Sequence, residues 1–164
     1  MLWLFKEDVF TYRVNPPDEK FQLTKRNFLR NIAMLFEPMG FRAPYVIGAK
    51  ILLQEMWTSG LDWDDPLDPS QARQAKKWFQ EFTELSDVYV ARCLQLNSHV
   101  ETVPLHTFTD ASGEAYRVVT CVRYQYKDGT VSTNRVTSKI RVAPLSATSI
   151  PRFELIGAVY SQGP

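Results

Sequence analysis

Cysteine and histidine are scarce in this chain, two of each in 164 residues. Cys93, His99, His106 and Cys121 follow one another at gaps of 6, 7 and 15, whereas zinc sites pair their ligands a few residues apart. A zinc module and a disulfide framework are both excluded, and the cysteines read as small core residues, the histidines as strand or loop residues. Nothing at the N-terminus reads as a signal peptide, so the expected setting is intracellular and reducing, cytoplasmic or nuclear. Long apolar runs are also lacking. The richest, Pro44–Trp57, is interrupted by Lys50, Gln54 and Glu55, and no membrane association is expected. Internal repeats and low-complexity segments are absent. Neither sign of charge dominates, with 19 Lys/Arg against 18 Asp/Glu.

That balance hides an asymmetry. Residues 1–101 carry 12 − 14 = −2, and residues 102–164 carry 7 − 4 = +3. The difference is too small to indicate nucleic acid by itself. It gains weight because Arg135, Lys139, Arg141 and Arg152 occupy one stretch with no acid before Glu154. A solvated basic strand face is the plain alternative.

The first half reads as helical after a short strand at Val9–Val14 that Asn15-Pro16-Pro17-Asp18 ends, since proline gives a ladder no donor. Thr24 suits a helix cap, and Phe28, Leu29, Ile32, Ala33, Leu35 and Phe36 follow a 3.6-residue period until Pro38 and Gly40. Pro44 fits the first turn of a second helix. Its apolar residues, Ile47 to Trp57, spread around most of the circumference and predict burial. Asp68-Pro69-Ser70-Gln71 supplies a capping acid, a proline at the first helical position and Gln at the third. Ala75, Trp78, Phe79 and Phe82 make a single stripe behind it. The acids of Leu61-Asp62-Trp63-Asp64-Asp65-Pro66 read as a solvated loop rather than a calcium loop.

After Leu85 the period changes to two. Val88–Leu94 and Leu105–Asp110 are strand candidates. Tyr116, Val118, Val122, Tyr124 and Tyr126 alternate with more polar neighbours, and Val131–Val142 follows the turn signal Asp128-Gly129. Pro151 opens a helix on which Phe153, Ile156, Gly157 and Tyr160 share a face. A domain boundary is expected near Asn97–Pro104, giving an α+β chain with a helical part over 1–101 and a strand-rich part over 102–164.

Several ordered segments together resemble the BEL/Pao retrotransposon polyproteins. They are Phe10-Thr11-Tyr12-Arg13-Val14, Thr24-Lys25-Arg26, Phe36-Glu37-Pro38-Met39-Gly40-Phe41, Ala49-Lys50-Ile51-Leu52-Leu53-Gln54-Glu55-Met56-Trp57, Gly60-Leu61-Asp62-Trp63-Asp64, Phe108-Thr109-Asp110-Ala111-Ser112, Lys139-Ile140-Arg141-Val142-Ala143-Pro144-Leu145 and Ile150-Pro151-Arg152-Phe153-Glu154-Leu155. The resemblance is to the region running from the end of reverse transcriptase into the start of a ribonuclease H-like domain. It implies that residues 1 to about 100 are the thumb and connection region after the polymerase palm. It further implies that the following residues supply the first three antiparallel strands and the first helix of a truncated ribonuclease H-like fold. Two departures stand out: Arg117 follows Ala115-Tyr116 where the family usually has Gly, and Gly48 stands where Arg is expected. Both suggest a drifting copy, and Arg117 is expected to disturb the packing of its strand.

By the same resemblance, Asp110 takes the place of the first catalytic Asp, and Glu154 that of the catalytic Glu of the first helix. Ribonuclease H-type cleavage of RNA in RNA–DNA hybrids uses two Mg²⁺ ions roughly 4 Å apart, held by clustered carboxylates. The other acids of such a site are expected beyond Pro164, so two carboxylates predict weak metal binding and no turnover in isolation. The expected partners are an RNA–DNA hybrid or other nucleic acid, on Arg135, Lys139 and Arg141, and the remainder of the polyprotein. A non-catalytic interaction module retained by a host is the alternative. An aspartic peptidase of the same polyprotein is a weaker one, since Asp110-Ala111-Ser112-Gly113 places an extra residue between Asp and Ser. Without the family, Asp110 reads as a strand-end turn residue and Glu154 as a first-turn helix acid.

Overall fold

The computed structural model describes every residue except 14–20, 36–37, 95–98, 147 and 162–164. The proline turn at Asn15–Asp18 and the start of the expected boundary at Asn97 therefore lie outside the described residues. The chain is α+β, with four α-helices and antiparallel sheets among the described residues. It divides into two compact units: Met1–Glu37 with Gly48–Arg92, and Pro38–Ile47 with Cys93–Pro164. The division falls between Arg92 and Cys93, and a short internal segment counts with the C-terminal unit.

In the first unit, β1 (Leu2–Leu4), β2 (Val9–Thr11) and β3 (Val90–Ala91) form a small antiparallel sheet in that order. Only β1 went unanticipated, and the strands expected over Val9–Val14 and Val88–Leu94 are shorter than their apolar runs. Helix α1 (Lys25–Ala33) starts where Thr24 accepts a hydrogen bond from the Asn27 N–H. It ends at Ala33, before Pro38 and Gly40 are reached. Helix α3 (Pro69–Glu84) is capped by Asp68, whose carboxylate accepts from the N–H groups of Ser70 and Gln71. Ala75, Trp78, Phe79 and Phe82 are its buried stripe, and Phe28, with no exposed surface, meets the Trp78 and Phe79 rings edge-on.

Helix α2 (Ala43–Thr58) departs from expectation. Ala49, Leu52 and Met56 are buried as one stripe, while Trp57 stays half exposed. The reason is a polar neighbour: the ammonium of Lys25, itself buried, sits 4.5 Å over the Trp57 ring and donates to the Leu61 carbonyl. Trp57 therefore acts as the rim of a cation–π contact instead of core.

The second unit is built on β6 (Ala115–Tyr126), which pairs with β4 (Val100–Thr102), β5 (Leu105–Ala111) and β7 (Val131–Val142), all antiparallel. The alternation on β6 holds: Val118, Val122, Tyr124 and Tyr126 are buried. Asp128 accepts from both the N–H and the hydroxyl of Thr130, and only Gly129 (φ +84°) takes the left-handed conformation, so a longer connection than a two-residue turn closes the β6–β7 hairpin. Gly40 (φ +72°) lies against the β7 backbone, where the Ser138 N–H donates to the Met39 carbonyl at 2.9 Å. Helix α4 (Ile150–Ser161) covers β5 and β6.

Candidate metal and nucleic-acid site

Asp110 is next to last in β5 and stands directly opposite Arg117 on β6. The Arg117 Nη2 lies 3.2 Å from the Asp110 Oδ2, and both side chains are more than half exposed. The register continues unbroken from Ala111–Tyr116 to Leu105–Val122. Arg117 therefore does not disturb its strand, because it points away from the packed face and meets an acid there.

Successive strand residues face opposite sides of a sheet. Thr109, not Asp110, lies under α4: a Cβ built on Gly157 would come within 3.3 Å of the Thr109 Cβ. On the same face the Tyr116 ring stacks on Phe153 at 5.8 Å. Glu154 follows Phe153 and is exposed. A helical step of about 100° per residue puts it on the flank of α4 nearer β5 than β7. The two acids thus come from neighbouring elements, with Glu154 carried by the helix on one side of the sheet and Asp110 on the strand face turned to the other.

As donors, both carboxylates suit a hard cation such as Mg²⁺. As an arrangement they do not fit a two-metal centre. Asp110 is held by a guanidinium, and among the described residues no group of three His, Cys, Asp or Glu side chains could hold a metal ion. Two of the three acids in the loop after Gly60 are occupied as well. Asp64 accepts two hydrogen bonds from Arg26, at 2.7 and 2.9 Å, and Asp65 accepts from the Asp62 N–H.

The expected basic face, with Arg135, Lys139 and Arg141 together, is divided. A bulge shifts the β6–β7 register between Thr120 opposite Thr137 and Cys121 opposite Arg135. One extra residue moves a side chain to the other side of the ladder. Lys139 and Arg141 then stand opposite Val118 and Tyr116, on the α4 side, with their charges 5.4 and 5.2 Å from the Tyr160 ring centre. Arg135 is out of phase with them. It donates to the Phe41 carbonyl at 3.2 Å and lies 4.9 Å over the Phe41 ring. Tyr160 is the residue that sequence reading placed on the helix face without a role. Burial pushes the Tyr116 phenol above its ordinary value, with Tyr160 adding to the rise and Arg141 opposing it.

A comparison with protein-family models matches residues 24–162 to the Pao retrotransposon-like RNaseH-like domain. The chain belongs to this family. The Pao match runs from the Thr24 cap through α4, across both compact units. It supports a retrotransposon polyprotein fragment with an RNase H-like fold, and the antiparallel β5–β6–β7 sheet followed by α4 agrees with that fold. Curated proteins and solved structures gave no match. No helix among the described residues is long and apolar enough to cross a membrane.

Proposed function

We propose that this Pao polyprotein fragment serves reverse transcription as a nucleic-acid-binding part of an RNase H-like domain, with an RNA–DNA hybrid as its partner. The observation that carries this reading is the placement of Lys139 and Arg141 beside Tyr160. Two cations with no acidic partner among the described residues flank a ring that is 41% exposed. Cations of this kind engage phosphates without regard to sequence, and an exposed aromatic face suits a base or sugar. Arg135, committed to Phe41, contributes less than its charge suggests.

Asp110 and Glu154 are proposed as the remaining carboxylates of an ancestral Mg²⁺ site for hybrid cleavage. The non-catalytic reading is favoured for the chain by itself, because Asp110 is paired with Arg117 and Glu154 is carried by the helix on the other side of the sheet. The test is fluorescence anisotropy with a labelled hybrid at increasing salt. Affinity should fall as salt rises, and Lys139→Ala with Arg141→Ala should weaken binding and lower the logarithmic salt slope by about 1 per cation removed. Binding indifferent to both substitutions, or absent at low ionic strength, would remove the basis for this interface. Incubation of the chain with hybrid and Mg²⁺ should yield no cleavage.

A further inference from the structure

We infer that Arg117 is a resident counter-ion for Asp110 and keeps divalent cations from this carboxylate. The inference rests on the reading of Asp110 as a candidate cation ligand and adds how that ligand is controlled. Three observations carry it. Arg117 and Asp110 are direct cross-strand partners, so the fixed register presents the guanidinium to the carboxylate without a search through chain conformations. The Nη2–Oδ2 separation of 3.2 Å is an ion-pair distance. Asp110 is also the sole acid in β5, β6 and β7, whereas Arg117, Arg123 and the bulge-shifted Arg135 lie on its side of the sheet by alternation and register.

A cation arriving at Asp110 therefore has to displace a tethered positive group. Displacement gains it one carboxylate, since Glu154 is carried by the helix on the opposite side of the sheet. An exposed ion pair is weak in itself. A lone exposed carboxylate is also a weak ligand for a divalent ion, so a tethered competitor decides which cation is bound.

Mn²⁺ titration of the whole 164-residue chain, followed by paramagnetic broadening of backbone amide signals, tests this without reference to activity. In the unaltered chain, signals of Asp110 and Ala111 should broaden no earlier than those around other exposed acids. Arg117→Gln keeps a strand-compatible side chain and removes the charge. It should bring broadening at Asp110 at about a fivefold lower Mn²⁺ concentration, an effect that Asp110→Asn in the same chain abolishes. Arg117→Lys should stay near the unaltered behaviour. If the unaltered chain and Arg117→Gln broaden at Asp110 at the same concentration, Arg117 is no gatekeeper, while the cation-ligand reading of Asp110 stands. If neither broadens there, both readings fall.

Discussion

Gly40 and Gly48 lead to opposite predictions, although both lie close to the start of α2. Gly40 has φ +72°, and a Cβ there would come 1.6 Å from the Ser138 carbonyl oxygen. Neither the backbone conformation nor the contact tolerates a side chain, so Gly40→Ala should destabilise the fold by on the order of 3 kcal/mol or more. Gly48 lies inside α2, exposed, with nothing near its would-be Cβ. Gly48→Ala should stabilise by roughly 0.5–1 kcal/mol, because alanine loses less backbone freedom on entering a helix. Urea midpoints of the two variants decide the matter. A Gly40→Ala protein as stable as the parent would contradict the packing of Met39 and Gly40 on β7. The sequence marks Gly40 only as a helix stop, since its close approach to Ser138 joins residues far apart in the chain.

Elements with their own start signals were legible in advance. Thr24, Asp68 and Pro69 are local chemistry, and α1 and α3 begin where that chemistry directs. The bulge in β7 was not legible, because Arg135, Val136 and Thr137 bear no local mark of it. Counting back from Gln125 opposite Val131 without the bulge pairs Tyr116 with Ile140. It also puts Arg117 across from Lys139. The real register pairs Tyr116 with Arg141 and Arg117 with Ile140, so Lys139 and Arg141 lie on the face of the sheet away from Asp110. A one-residue slip thus separated the candidate nucleic-acid face from the candidate metal ligand. Helix α4 depends on Phe153, which is 2% exposed and stacked on Tyr116. Phe153→Ala should cost about 3–5 kcal/mol, and the conservative Phe153→Leu clearly less. Chemical denaturation measures both. Equal, small losses would mean that α4 is not anchored on β6.

At the scale of the whole molecule, pH should act through Asp8, Asp64 and Asp128. The Arg92 guanidinium hydrogen-bonded to Asp8 holds that carboxyl below its ordinary value, with the Trp3 N–H contributing. Arg26 does the same for Asp64. Asp128 is lowered by the hydroxyl and N–H of Thr130 in the β6–β7 hairpin. A carboxyl whose folded-state pKa is depressed binds its proton more readily in the unfolded chain. Its contribution is therefore complete above the unfolded pKa, near 4, and is lost as pH falls through the folded value. Each of these groups is exposed, so each effect is small and screened by salt. Thermal midpoints measured from pH 7 down to pH 2.5 should hold steady to about pH 5 and then decline. Asp8→Asn combined with Asp64→Asn should start lower at pH 7 and decline less steeply, because two of the groups that lose their charge-assisted bonds are already neutral. A double variant whose midpoint falls as steeply as the parent's would show that the Arg92 and Arg26 pairs do not hold in solution.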